Sequence, residues 1–170
     1  MTKDYYEHLK AMMRLVAEAD NQLYKYMEMI ANGMENFHAK YGHFPEPGEE
    51  QDKLRRALAK VATNNPYDPK IYNADTNEQL SKGEPIKIVF LVDGALTESF
   101  IKDTEKTAPK SWSTDPGTIV VITNGVDKFV VWGASADRLP IKEIGTGNTR
   151  VVYREVSPRQ QQIGSSGLPH

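Results

Sequence analysis

Cysteine is missing from all 170 residues. Its absence removes disulfide frameworks, thiolate nucleophiles and cysteine zinc clusters in one step. Charge of one sign is missing too, because 21 basic residues face 23 acidic ones. A dedicated nucleic-acid binder needs a basic footprint, so no nucleic-acid partner is expected. No apolar run approaches the roughly 18 residues of a membrane span. The opening "TKDYYEHLK" is polar where a signal peptide would be apolar. As it stands the sequence reads as a soluble chain.

Catalytic and metal-binding patterns are equally scarce. The histidines are His8, His38, His43 and His170. None has a second ligand three or four residues away, so all four are expected as surface or partly packed imidazoles. Ser111-Trp112-Ser113 lacks the glycines of a nucleophile elbow. The acids Asp103 and Glu105 have no EF-hand spacing and read as a solvated loop. "GTGN", residues 145 to 148, opens no helix and reads as a turn. Lys53, Arg55, Arg56 and Lys60 form a basic patch diluted by neighbouring acids, which marks a charged helix face. Trp112 and Trp132 are expected in a core or on a sheet face. No enzyme, cofactor or metal site can be assembled from these residues.

Helical periodicity is abundant. Apolar residues fall at Leu9, Met12, Met13, Val16, Ala19, Leu23, Tyr26, Met27, Ile30, Met34, Phe37 and Tyr41, in steps of three and four with no proline before Pro45. Asp4 is expected to cap this helix, with Glu7 three residues on. Gly42 can terminate it, Pro45 forbids continuation, and Gly33 offers a place to bend. About 37 helical residues reach roughly 55 Å. A globule of this chain length is only about 40 Å across. Either Gly33 breaks the helix or its first turns project as a stalk.

A second helix is expected in "GEEQDKLRRALAKVAT", with Leu54, Ala57, Leu58 and Val61 on one face and Glu49–Lys53 and Asp52–Arg56 spaced to pair. It stops before "NNPYDP", where Pro66 and Pro69 force turns. Strands follow. "PIKIVFLVDG" ends in an Asp93-Gly94 turn. "GTIVVITNGVDKFVVWG" is two β-branched runs joined by Asn124-Gly125, the preferred two-residue hairpin turn. "TRVVYREV" alternates as a further strand, and "ALTESFI" is ambiguous between helix and strand. Helix first and strands later predict an α+β fold, with the long helix packed on an antiparallel sheet. The chain reads as one domain over residues 1–157, a helix at 1–41 and a globular head at 42–157, followed by a flexible tail at 158–170.

With these elements placed, the chain resembles the type IV pilin and type II secretion pseudopilin superfamily. The matching residues are Tyr41, Gly42, Phe44 and Pro45 at the end of the long helix, with Phe37 as the upstream aromatic. A short helix and an Asn65-Pro66 turn follow, and Trp132-Gly133 closes the late hairpin in "PGTIVVITNGVDKFVVWGASADRLPI". The resemblance implies a pilin-like fold and a structural, non-enzymatic role in a surface fibre or secretion pseudopilus, without cofactors. It implies pilin-like subunits as partners, met through a helix face of Leu9, Met12, Met13, Val16, Leu23, Met27 and Ile30. Family members begin with an apolar segment bearing an early glutamate, and "TKDYYEHLK" departs from that pattern. The implied full-length form is therefore anchored at the cell surface through a membrane segment absent from this chain. The calcium site of the secretion branch is not carried over, since no acidic cluster stands near Asp137. The alternative from another class is a soluble binding module that docks a partner protein through the exposed apolar helix strip.

Overall fold

The computed structural model describes residues 2–62, 65–67, 86–92, 115–143 and 145–156. The Asp93-Gly94 turn, "ALTESFI", Asp103, Glu105, Trp112 and its flanking serines, Pro69, His170 and the tail at 158–170 lie outside the described residues.

Helix α1, Thr2–Tyr41, is continuous over 40 residues, or roughly 60 Å. Its apolar stripe repeats every three to four residues, and nothing interrupts the hydrogen-bond ladder. Asp4 lies inside the first turn rather than at the cap, where its charge still favours the positive end of the helix dipole. Gly33 does not break the helix. It makes room for α2, Glu49–Ala59, because a Cβ there would stand 2.6 Å from Cδ1 of Leu54. At the far end Gly42 takes a left-handed φ of 86° and donates its N–H to the His38 carbonyl at 2.8 Å. A side chain at that φ would be strained, so glycine is the residue that can end the helix there.

Four strands follow: β1 Ile88–Val92, β2 Ile119–Thr123, β3 Lys128–Gly133 and β4 Val152–Glu155, in the spatial order β1-β2-β3-β4. The fold is α+β as expected, but the sheet is mixed rather than antiparallel. β1 runs parallel to β2, with Ile88 beside Ile119, while β2–β3 and β3–β4 are antiparallel. A parallel neighbour requires a long connection, and here residues 93 to 118 separate the two strands.

Both faces of the central strands are buried, which explains their near-continuous apolar sequence. Ile119, Val121, Phe129 and Val131 pack with Leu23, Met27, Ile30, Ala31 and Met34 of α1. Val120, Ile122, Val130 and Trp132 form a second cluster on the opposite face. Each fully buried Leu, Ile or Met contributes roughly 1.5–3 kcal/mol through apolar burial. Leu58 and half-buried Leu54 bring α2 onto the first cluster, whereas Val61 is exposed and Ala62 takes the buried place instead. Arg55, not Arg56, pairs with Asp52, at 2.7 Å.

The hairpin forms where Asn124-Gly125 predicts it, but its turn is longer than two residues. Thr123 faces Phe129, and the Asn124 N–H reaches the Lys128 carbonyl at 3.0 Å. Only Gly125 has a positive φ, 80°. A two-residue turn of the expected type would need one at Asn124 as well. Among the described residues no helix is long and apolar enough to cross a membrane.

Candidate functional site

Residues 3 to 15 of α1 are exposed without exception. At 1.5 Å per residue they extend roughly 20 Å beyond the sheet contact. Tyr5, Tyr6, Leu9, Met12, Met13 and Leu15 are exposed large apolar residues on this stretch, with Met13 at 69 % and Tyr5 at 62 %. Such a helix end is marginal in isolation, and the docked half supplies the nucleus from which it propagates.

The seven expected assembly residues therefore separate. Leu9, Met12 and Met13 are exposed, and Val16 is half-buried at the boundary. Leu23, Met27 and Ile30 are fully buried against the chain's own sheet, so these three are core residues and offer nothing to a neighbour. The physical reason is the reach of β3, whose last residue, Gly133, lies under Leu23 and Met27. A Cβ on Gly133 would come within 2.7 Å of Cδ2 of Leu23 and of the Met27 sulfur. The missing side chain lets the helix settle closely on the strand.

The residues around the end of α1 are brought together as a packed junction. The ring of Phe44 lies between His38, at 4.8 Å, and Phe129, at 5.4 Å edge-on. Pro45 is buried, and its carbonyl accepts a hydrogen bond from the Gln51 amide at 3.3 Å. Tyr41 stays half exposed, tilted against Phe37 with ring centres 4.5 Å apart. His38 is buried, and its Nε2 donates to the Val126 carbonyl at 3.1 Å, tying the hairpin turn to the helix. His8 and His43 remain at the surface or half-buried.

Asn65 is a second junction. Its carboxamide donates to the Pro116 carbonyl at 2.8 Å and accepts from the Tyr67 N–H at 2.9 Å. Pro66 is buried beside it. Tyr67 then donates its hydroxyl to Asp20 of α1, where Ser135 also donates at 2.7 Å. Burial first, then the hydrogen bond and the charge of Asp20, push the Tyr67 phenol far above the ordinary tyrosine range. Nothing in the local pattern marks this cluster. Asp20 sits between Ala19 and Leu23 on the edge of the apolar stripe, and that placement was its one available signal.

Beside Asp20 an open groove of about 390 Å³ is lined by Ala17, Asp20, Asn21, Lys142, Glu143 and Arg150. Arg150 donates to the Asn21 side chain at 3.0 Å and lies 3.7 Å above the Tyr24 ring. The groove carries both charge signs. No group of three His, Asp or Glu gathers as a metal site among the described residues. The most distinctive feature is therefore the uncovered apolar helix end. Compared with family models, curated proteins and solved structures, the chain matches none.

Proposed function

We propose that the chain is a structural, pilin-like subunit of a cell-surface fibre or type II secretion pseudopilus, joined to neighbouring subunits through the free end of α1. The observation that carries the reading is the strip of Tyr5, Tyr6, Leu9, Met12, Met13 and Leu15. Within it Tyr5, Leu9, Met12 and Met13 continue the buried stripe of the same helix, flanked by Tyr6 and Leu15, and no strand among the described residues covers them. An apolar helix face of this kind gains free energy when other apolar helices cover it. The Tyr41, Gly42, Phe44 and Pro45 junction fixes the angle between helix and head, as a subunit that must repeat along a fibre requires. On this reading the subunit works at the cell surface, anchored by an apolar segment outside these residues, and needs no cofactor and no catalytic step.

The same strip would serve the alternative, a module that docks one unlike partner. Cross-linking separates the two, and a cysteine-free chain suits it well. Met13→Cys is introduced into the protein in its native cells, followed by mild oxidation or a short thiol cross-linker. With one thiol per chain a cross-link joins two chains at most, so a cross-linked dimer of this chain supports subunit-to-subunit assembly. A single cross-linked species containing another protein supports the docking module and overturns the subunit reading, as does a chain that stays monomeric.

A further inference from the structure

The Asn124-Gly125 turn has a chemistry that the fold acts against. In an Asn-Gly pair the main-chain nitrogen of Gly125, once deprotonated, can attack Cγ of Asn124. The bond from Cγ to the side-chain nitrogen breaks, ammonia leaves, and a cyclic imide remains. Water then opens the imide to aspartate or isoaspartate. Glycine favours the step because no side chain hinders the approach. The attack needs the nitrogen and Cγ to reach near-attack separation, with the carboxamide free to turn.

In this turn the carboxamide is not free to rotate, and the attacking nitrogen is already engaged. The Gly125 N–H is donated to Oγ1 of Thr123 at 3.0 Å, and that hydroxyl is itself held by donation to the Lys128 carbonyl at 3.0 Å. The Asn124 side-chain oxygen accepts the N–H groups of Val126, Asp127 and Lys128 at 2.9, 2.9 and 3.0 Å. Three converging main-chain donors identify that atom as the oxygen. The Asn124 nitrogen donates to Asp127 at 2.7 Å. Five hydrogen bonds must therefore be released before the ring can close. The His38 bond to the Val126 carbonyl holds the turn against α1 from outside.

We propose that Asn124 is a latent deamidation site, kept unreactive by this hydrogen-bonded turn and exposed to reaction when the turn opens. The product would not fit the same cradle. Aspartate at this position replaces the donor facing Asp127 with a second carboxylate, and like charges at that separation repel. Isoaspartate lengthens the main chain and misaligns the three N–H donors. Opening followed by reaction is therefore one-way, and the modification records each lasting excursion of the hairpin.

The chain carries its own comparison in Asn32-Gly33, the same pair inside the continuous helix α1. The intact protein is incubated at mildly alkaline pH, natively and in denaturant, and both sites are followed by peptide mass spectrometry. Natively both stay amidated, and denaturant accelerates both. Thr123→Val removes the acceptor for the Gly125 N–H and should speed reaction at Asn124 roughly two- to tenfold, the effect of one lost hydrogen bond on the open population. Asn32 should not change. The idea fails if Asn124 reacts as fast in the native as in the denatured chain, if Thr123→Val leaves it unchanged, or if both sites speed up equally. Hydrogen exchange at the Gly125 amide of the unsubstituted protein gives a test independent of any variant: slow exchange is expected, and exchange at the unprotected rate overturns the proposal.

Discussion

The Tyr67 hydroxyl donates to the carboxylate of Asp20, joining the loop after α2 to the middle of the long helix. Ser135, which follows β3, reaches the same oxygen. Three chain segments thus meet at one half-buried acid, close to the point where α1 leaves the sheet. A bond to a charged acceptor outweighs an ordinary one. Tyr67→Phe should cost about 1–3 kcal/mol in denaturant unfolding, because Asp20 loses one of two donors in a partly desolvated place.

The same pair gives a pH signature. The phenol is held protonated in the folded state by burial and by Asp20, whereas in the unfolded chain it ionises near pH 10, roughly the free value. Above that pH the unfolded state binds fewer protons than the folded one, so stability falls as pH rises. Below it the two states bind the same proton and there is no slope. Urea midpoints measured across mildly to strongly alkaline pH should decline more steeply for the natural chain than for Tyr67→Phe. Parallel curves would remove Tyr67 from the alkaline response.

Asn65 and Gly117 should behave as one unit. A Cβ on Gly117 would lie 2.2 Å from the Asn65 side-chain oxygen. Asn65→Ala should cost about 1–2 kcal/mol by freeing the Tyr67 N–H and the Pro116 carbonyl. Gly117→Ala should also destabilise, through the clash and its positive φ of 86°. The double substitution should cost less than the sum, because Asn65→Ala clears the space the new methyl needs. A double-mutant cycle from chemical denaturation reads the difference.

Two helix-facing glycines should respond oppositely to alanine. At Gly133 the new methyl would meet Leu23 and Met27, both fully buried and unable to withdraw. Overpacking of this kind costs typically about 1–3 kcal/mol. At Gly33 the methyl would meet only the end of Leu54, a half-buried side chain with room to rotate. Alanine also gains about 1 kcal/mol of helix propensity over glycine. Gly33→Ala should therefore be near neutral or stabilising in thermal unfolding, while Gly133→Ala lowers the midpoint.

What the sequence revealed follows the range of each signal. α1 and the β2–β3 hairpin were legible because periodicity and turn chemistry act over neighbouring residues. Gly42 and Pro45 marked the helix end for the same reason. The direction of β1 was not legible, since an apolar run such as "IVFLV" carries no record of which way its neighbour points. The turn at Asn124 is longer than the Asn-Gly pair predicts, because the Asn124 side chain accepts three N–H groups and so organises a wider loop. The Asp20 cluster was hidden by distance, its partners lying 47 and 115 residues away in sequence. The apolar stripe of α1 was legible along its whole length, but periodicity cannot tell where on that stripe the sheet stops.

That boundary supplies the sharpest prediction for the helix. Met13 is 69 % exposed and Met27 fully buried, yet both belong to one apolar pattern on one continuous helix. Met27→Ala removes packing from the buried cluster over Gly133, and cavity formation there should cost about 2–5 kcal/mol. Met13→Glu removes nothing the folded chain uses, so its stability should change by no more than about 0.5 kcal/mol. If the free strip is where subunits meet, Met13→Glu should nonetheless abolish association, because a carboxylate buried between apolar helices without a partner is strongly unfavourable. Sedimentation over a range of concentrations, set beside denaturation curves, separates the two effects. Equal association by Met13→Glu and the natural chain would show that the strip is exposed without being a contact.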